Sequence, residues 1–241
     1  MPTPTFFALP AARRARLVEE AIVEFAERPF AEASLSQIAR RTAIAKGSFY
    51  QYFANKLDLY RWLLLDEAPR QKRAFLGATA PQQDFWPRLT QHIERGMAFL
   101  VEFPRLARLI ASAADPSASS EVRGLHAAVC EAGHDELLQL LGDGIASGAL
   151  ASGLKLGVAA RFVAAVVGPG LTTVILQELD VELHELLASD SLKRRLGPVR
   201  RQRLAEQAVS FIRDGLGRQT GLGSRAEPRA STRTSRNKEK T

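Results

Sequence analysis

The chain has a single cysteine, Cys130, among its 241 residues. One thiol cannot form an internal disulfide bond, so the sequence excludes a disulfide-stapled fold and suits a reducing cytoplasm. The first residues, MPTPTFFALPAARR, contain no long apolar run ahead of the arginines. We therefore expect no secretory signal peptide and a cytoplasmic location.

Long apolar stretches are also scarce. The most apolar one, residues 162–176 (FVAAVVGPGLTTVIL), has only 15 residues, whereas a membrane-spanning helix needs about 20. A Gly-Pro-Gly triplet interrupts it, and Arg161 and Glu178 flank it. A helix that is apolar on all sides is normally buried. The segment is therefore predicted to lie in a core or a subunit interface, not in a membrane.

Motifs for catalysis and cofactor binding are missing too. The sequence has neither a P-loop nor a Rossmann fingerprint in a strand–helix context, and Cys130 has no evident base to activate it as a nucleophile. We expect no cofactor and no enzymatic activity.

His126, Cys130 and His134 recur every four residues on one predicted helix. A His–Cys pair at this spacing can chelate a transition metal. The two histidines, however, are about 12 Å apart along a helix axis, and metal–ligand bonds are about 2.0–2.3 Å long. All three cannot share one ion comfortably, so no metal site is predicted. Lining of a ligand cavity and ordinary packing or surface exposure remain open.

Charge is distributed unevenly along the chain. The formal net charge is +7; residues 218–241 contribute +5, residues 1–60 contribute +2, and residues 61–217 balance at zero. The basic tail has almost nothing to bury, so we expect it to be disordered and dispensable for folding. Weak, sequence-independent attraction to DNA phosphate is the alternative role for the tail.

What the sequence does contain is helical periodicity almost throughout, with no alternating strand pattern or hairpin signal. It predicts an all-α chain with a flexible N-terminus (1–10), a small N-terminal domain (11–60), a larger helical body (61–217) and the tail (218–241). Helices are predicted near residues 11–28, 56–75, 84–102, 104–114, 118–148, 155–179, 181–189 and 198–217.

Residues 34–53, SLSQIARRTAIAKGSFYQYF, predict two short helices joined by a tight turn. Ser34 is a candidate N-cap, and Gln37 would complete a capping box. The second helix is predicted to run from about residue 45 to Phe53, with Phe49 and Phe53 buried on one face. The other residues from Lys46 to Tyr52 would then form a surface rich in hydrogen-bond donors. A helix-turn-helix presents such a surface to the major groove and to phosphates.

From Arg14 to about Asp66 the chain resembles the DNA-binding region of the TetR family of transcriptional regulators. Three positions depart from the family pattern: Ala43 replaces a turn glycine, Ala45 a capping Ser or Thr, and Pro29 a helix-ending glycine. The resemblance rests on Leu17, Ala21, Phe25, Ser34, Ile38, Ala39, Ile44, the run Lys46-Gly47-Ser48-Phe49-Tyr50-x-Tyr52-Phe53, and Asn55-Lys56-x-x-Leu59.

The resemblance implies a homodimeric, ligand-responsive DNA-binding regulator, usually a repressor, with a DNA-binding head and an effector-binding body. Its partners would be a double-stranded DNA operator and a small-molecule effector. The predicted DNA contacts are Ser34, Ser36, Lys46, Gly47, Ser48, Tyr50, Gln51, Tyr52 and Lys56. The predicted effector pocket comprises Trp62, Phe99, Phe103, His126, Cys130 and His134. The predicted dimer interface comprises Phe162, Val166, Val167, Leu171, Val174, Ile175, Val209, Ile212 and Leu216.

Two alternatives from other classes remain at this point. The first is a small helical enzyme that uses the body cavity. The second is a chromosome-associated protein that binds DNA nonspecifically through the basic tail.

Overall fold

The computed structural model describes residues 1–77 and 84–216, with only the backbone of Lys46 and Leu216. Within these ranges the chain is all-α, with no strand, which confirms the predicted fold class. The elements are α1 (Pro4–Phe7), α2 (Ala11–Glu27), α3 (Leu35–Arg41), α4 (Lys46–Phe49), α5 (Lys56–Trp62), a π-helical turn (Leu63–Glu67), α6 (Ala68–Leu76), α7 (Phe85–Glu102), α8 (Pro104–Ser112), α9 (Ser120–Ala146), α10 (Leu156–Ala165), a second π-helical turn (Val166–Gly170), α11 (Leu171–Leu179), α12 (Leu183–Ala188), α13 (Asp190–Arg195) and α14 (Pro198–Leu216).

Two hydrophobic cores hold these helices together. The first joins α1–α5 to α8 and the start of α9 through side chains such as Phe25, Leu59 and Leu109. The second lies in the body among α7, α9, α10, α11 and α14. Because the first core includes Leu109, the N-terminal head packs directly on the body. The tail prediction for residues 218–241 lies outside the described residues.

The N-terminus is ordered against the head, which corrects the prediction of a flexible segment over residues 1–10. Phe6 on α1 is fully buried, with its ring centroid 5.0 Å from that of Phe53 and 5.1 Å from that of Trp62. The Thr3 backbone N–H donates to the Tyr52 carbonyl oxygen at 3.0 Å. Sequence pattern missed this docking because the four residues of α1 are too few to show a period.

The apolar segment lies within a longer helical stretch, Leu156–Leu179, of 24 residues, in which an 18-residue window has a mean hydropathy of 1.7. By length and composition alone this stretch could cross a membrane, although such a test also selects core helices of soluble proteins. One side of it, including Ala160, Val163 and Ile175, packs into the second core. The stretch is therefore part of the helical body, with an apolar outer side.

Pro169 sits inside this stretch, where the helix widens into the second π-helical turn. Proline lacks the N–H that an α-helix needs, so the backbone rearranges around it. A Cβ on Gly170 would lie 2.9 Å from the carbonyl oxygen of Ala165, so glycine allows this close approach. The Leu63–Glu67 turn makes a similar widening between α5 and α6, which otherwise form one continuous helical path.

Candidate functional site

The helix-turn-helix is built on a buried aromatic pair. Phe49 and Phe53 are fully or almost fully buried, with ring centroids 5.9 Å apart, which confirms their predicted role. Ile38 of α3 is buried in the same core. This core fixes α4 against α3 and leaves the opposite side of α4 at the surface.

The start of α3 differs from the predicted capping box. The Ser34 side chain caps no backbone N–H, and the Ser34 N–H donates to Glu24 Oε1 at 2.9 Å. Glu24 is fully buried and also lies 3.2 Å from Arg41 Nη2. The buried carboxylate takes the donor that Gln37 was expected to take, and Gln37 Oε1 has no hydrogen-bond partner among the described residues.

The turn between α3 and α4 places Ala43 at φ 53°, in the left-handed region. The turn is closed by the Ile44 N–H, which donates to the Ala39 carbonyl oxygen at 2.9 Å. A side chain at this φ is strained, which is why glycine suits the position. The turn therefore keeps its geometry despite the alanine.

Helix α4 is shorter than predicted. Regular α-helix ends at Phe49, and residues 50–52 form tight turns in which the Gln51 N–H donates to the Ser48 carbonyl oxygen. Gly47, Tyr50 and Gln51 are exposed, and Ser48 is half-buried. A Cβ on Gly47 would meet nothing within 4 Å among the described residues. Packing against these residues does not require this glycine, and it leaves the backbone open to approach from outside.

The body contains a largely apolar cavity of about 570 Å³. It lies between α6, α7, α8, α9, α10, the second π-helical turn and α11. This volume is typical of a pocket for a small molecule. Its apolar wall includes Leu76, Ile93, Met97, Phe99, Leu100, Ile110, Leu137, Val167, Leu171 and Ile175.

A few polar groups reach this apolar wall. His134 is buried at 7% exposure, and its Nδ1 has no hydrogen-bond partner among the described residues. Burial, and secondly the charge of Lys72, lower the pKa of His92 below its usual value, while Glu136 opposes the shift. Lys72 and Glu136 themselves also line the cavity.

Another cleft, of about 620 Å³, lies between α2 and the path from α5 to α6. Trp62, Arg14, Glu67 and Arg70 line it. Glu67 accepts hydrogen bonds from Arg70 at 2.6 and 2.9 Å, and from Gln71 at 2.8 Å, and these bonds lower the pKa of its carboxyl against the opposing effect of burial. Because the buried carboxylate is already satisfied, the body cavity is the stronger candidate for a ligand site.

Comparison with known proteins decides the family. The family model of bacterial regulatory proteins, tetR family, matches residues 17–62. A TetR family transcriptional regulator from Chloroflexus aurantiacus J-10-FL is 33% identical, with a TM-score of 0.62, and the match covers 91% of this chain and 100% of that one. The chain belongs to the TetR family of transcriptional regulators. It is thus a DNA-binding regulator with a helix-turn-helix.

More distant structures share the TetR fold. FadR from Bacillus halodurans is 19% identical, with a TM-score of 0.58 over 78% of this chain and 96% of its own. FadR from Bacillus subtilis, solved in complex with stearoyl-CoA, is 21% identical, with a TM-score of 0.56 over 76% of this chain and 96% of its own. No curated protein matches the chain in sequence.

Two residues that were predicted to contact DNA, Tyr52 and Lys56, make contacts within the head instead. Tyr52 is 6% exposed and packs near Phe6, with ring centroids 6.5 Å apart. Lys56 Nζ donates to the carbonyl oxygens of Phe30, Ala31 and Ala33 at 2.6, 3.0 and 3.0 Å. Burial lowers the pKa of Lys56. Both side chains hold the head together, so the prediction that they lie on the phosphate-binding surface is wrong.

The remaining predicted contacts stay predictions. Ser36 is exposed on the first turn of α3, and Ser34 is half-buried. Lys46 begins α4, and its side chain lies outside the described part of the structure.

The six residues of the predicted effector pocket divide between the body cavity and other places, and their contact with an effector stays a prediction. Phe99, Cys130 and His134 line the cavity. Trp62 is instead buried beneath α1, while Phe103 stacks on Phe99 and faces a separate cleft of about 510 Å³. His126 is half-buried outside the cavity, with Nε2 at 3.7 Å from Cys130 Sγ.

Sequence reasoning missed most of the cavity lining, including three titratable side chains: Lys72, His92 and Glu136. They come from α6, α7 and α9, so no local motif connects them. Within the described residues, no group of three or more His, Cys, Asp or Glu side chains is arranged to hold a metal ion.

The predicted dimer residues divide between the core and the surface. Phe162 and Val174 are 68% and 42% exposed, while Val166 and Val167 are half-buried. The prediction is corrected for Leu171, Ile175, Val209 and Ile212, which are buried in the second core. The last two lie on α14, which packs against α7. The side chain of Leu216 lies outside the described part of the chain.

Two further apolar residues that the predicted interface did not include are exposed. Val158 is 50% exposed and lies four residues before Phe162 on α10, and Phe211 on α14 is 70% exposed. Large exposed aromatic side chains of this kind are typical of protein contacts.

Proposed function

We propose that this TetR regulator is a homodimeric repressor that leaves its operator when a small molecule occupies the body cavity. A continuous helical path that links the cavity to the DNA-binding head supports this proposal. Lys72 and Leu76 of α6 line the cavity, and α6 continues through the Leu63–Glu67 turn into α5. Helix α5 packs in the same core as Phe49 and Phe53.

This path gives the effector a mechanical route to the reading surface. A ligand can shift the equilibrium only if it binds one arrangement of the helices more tightly than the other. A ligand that moves α6 tilts α5 and changes the distance between the two heads of a dimer. Release of DNA follows if the tightly binding arrangement no longer fits two neighbouring major grooves.

The reading surface comprises the exposed side of α4 and the turn that follows it. Gly47 has no side chain, so DNA can approach the protein backbone closely at this position. Ser48 and Tyr50 supply hydroxyl groups that can bind phosphates, and Gln51 can reach a base edge or a phosphate. Lys46 is expected to contact a base or a phosphate from the start of α4. Ser36 adds a hydroxyl from α3.

Dimerisation completes the proposal. One short reading helix contacts few base pairs, and each wrong pair costs only about 1–3 kcal/mol. Two linked heads combine their preferences and require a spaced, roughly palindromic site. The exposed side chains of Phe162, Val174 and Phe211 supply an apolar surface for a second copy of the chain.

Neither alternative function gains support from the family assignment. The sequence offers no P-loop, Rossmann or activated-nucleophile motif in support of the enzyme hypothesis. The nonspecific hypothesis depends on the tail, residues 218–241.

The test is selection of bound sequences from random duplex DNA by the full-length protein. We expect a palindromic consensus, recovered by a dimer. Tyr50→Phe should weaken binding to all sequences alike and reduce the salt dependence, because it removes a phosphate contact. Gly47→Ala should weaken operator binding without loss of stability, since its added methyl meets only DNA. Recovery of no preferred sequence would contradict the proposal.

A further inference from the structure

The body cavity has chemical features that restrict its ligand. We propose, building on the effector role proposed above, that the cavity selects an uncharged molecule with an apolar body and a hydroxyl group that hydrogen-bonds to His134. The cavity wall, the charges on it and the buried imidazole support this assignment.

The wall favours an apolar body. Most of the lining side chains are aliphatic or aromatic, among them Met97, Phe99 and Leu137. Burial of apolar ligand surface against such a wall is favourable, at roughly 25 cal/mol per Å². An ionised ligand group placed there loses its hydration and needs a dedicated partner of opposite charge.

The charge balance of the cavity provides no such dedicated partner. Lys72 and Glu136 bring one charge of each sign to the lining, and both lie near enough to His92 to influence its pKa in opposite directions. A carboxylate would be attracted by Lys72 and repelled by Glu136, and an ammonium group would meet the reverse. The lining therefore carries no net formal charge that would favour an anion over a cation, or the reverse.

His134 supplies the polar contact. Its side chain is more than nine-tenths buried, it lines the cavity, and Nδ1 has no partner within the described residues. Nδ1 is itself closed to solvent, so a ligand hydroxyl reaches it when the imidazole ring turns toward the cavity. A buried polar atom without a partner costs about 1–3 kcal/mol, and a ligand group that satisfies it gains affinity. Neutral imidazole nitrogen is a donor in one tautomer and an acceptor in the other. A hydroxyl group can donate and accept, so it suits either tautomer.

The experiment compares three probes that differ only in the head group: decan-1-ol, decanoate and decylamine. Their binding to the full-length protein is measured by calorimetry at neutral pH, without DNA. We expect decan-1-ol to bind at least tenfold more tightly than either charged probe. Tighter binding of decanoate or decylamine, or no binding of any probe, overturns the inference.

Variants then test the role of His134. His134→Phe keeps a ring of similar size but removes the nitrogen, and we expect it to weaken decan-1-ol binding about tenfold. His134→Gln restores a donor and an acceptor and should recover part of the affinity. His126→Phe changes a histidine outside the cavity on the same helix and serves as the control. Unchanged binding by His134→Phe overturns the inference; if that variant does not fold, the three-probe comparison on the natural protein still decides.

DNA binding separates this inference from the proposed function. If decan-1-ol fails to bind while operator binding and its sequence preference are intact, the inference about the ligand is overturned and the proposed regulator function is not. Tight binding of decan-1-ol without release of the operator removes the effector role. Loss of any sequence preference in the selection removes the proposed regulator mechanism, whatever the cavity binds.

Discussion

At the residue scale, the strain at Ala43 is local and can be measured. Its φ of 53° costs an L-residue roughly 1–2 kcal/mol, and glycine removes this cost while adding about 0.4–1 kcal/mol of unfolded-chain entropy. We predict that Ala43→Gly leaves the free energy of unfolding unchanged or raises it by up to about 1.6 kcal/mol. Urea denaturation measures this change. Ala128→Gly, at an exposed position inside α9, is the control and should cost about 0.5–1 kcal/mol; an equal loss at Ala43 would show that the left-handed conformation is not held.

The ammonium group of Lys56 is a second feature at this scale. It donates to three loop carbonyl oxygens and lies 4.7 Å from the centroid of the Phe30 ring. We predict that Lys56→Met lowers the free energy of unfolding by about 1–3 kcal/mol, because hydrogen bonds to a charged group are lost. The salt dependence of operator binding by the folded variant should stay unchanged. A stable variant with a shallower salt dependence would instead restore Lys56 as a phosphate contact.

At the scale of the element, α1 docks against the hydrophobic core of the head. Phe6 is fully buried beside Phe53 and Trp62, and Thr3 bonds to the backbone of Gln51 and Tyr52. We predict that Phe6→Ala lowers the free energy of unfolding by about 3–5 kcal/mol, as expected for a buried phenylalanine.

The docking of α1 also bears on DNA binding. Thr3 next to α1 hydrogen-bonds to the turn that follows α4, which is part of the proposed reading surface. Phe6→Ala should therefore weaken operator binding under conditions where the variant remains folded. Phe7→Ala, at a neighbouring side chain that is 54% exposed, is the matched control and should change stability much less. Calorimetric melting and a binding titration measure both effects, and equal effects of the two variants would rule out a docked α1.

At the scale of the whole molecule, we predict that the outer side of α10 and α11 forms the dimer interface. Phe162 is 68% exposed although it belongs to the most apolar stretch of the chain. We predict that Phe162→Glu converts the dimer into a folded monomer and weakens operator binding by at least tenfold, because a charge opposes burial of the interface. Light scattering measures the mass, and circular dichroism checks that helicity is kept.

A matched variant separates this effect from the added charge. Gln139→Glu places the same charge on the exposed side of α9 and should leave both the mass and the affinity unchanged. A Phe162→Glu protein that remains a dimer would move the interface to another surface. A natural protein that is monomeric at micromolar concentration would contradict homodimerisation altogether.

Sequence by itself determined the class of fold and the family. Helical periodicity is a local property, so the bounds of the longer helices, such as α7 and α14, follow from residues only three or four positions apart. The run from Lys46 to Phe53 likewise carries its own signal, and the burial of Phe49 and Phe53 followed from their spacing. The cap of α5 is local as well, since the Asn55 Oδ1 accepts from the Asp58 N–H, three residues further on, at 2.8 Å.

Only the tertiary structure decided which residues meet across helices. Lys72, His92 and Glu136 converge from three helices, and Glu24 takes the Ser34 N–H from ten residues away. The burial of Tyr52 depends on α1, and the burial of Val209 and Ile212 depends on the packing of α14 against α7. The sequence shows which face of a helix is apolar, but it does not show which surface that face packs against. Hydrophobic burial is non-directional, so any complementary apolar surface can cover the face.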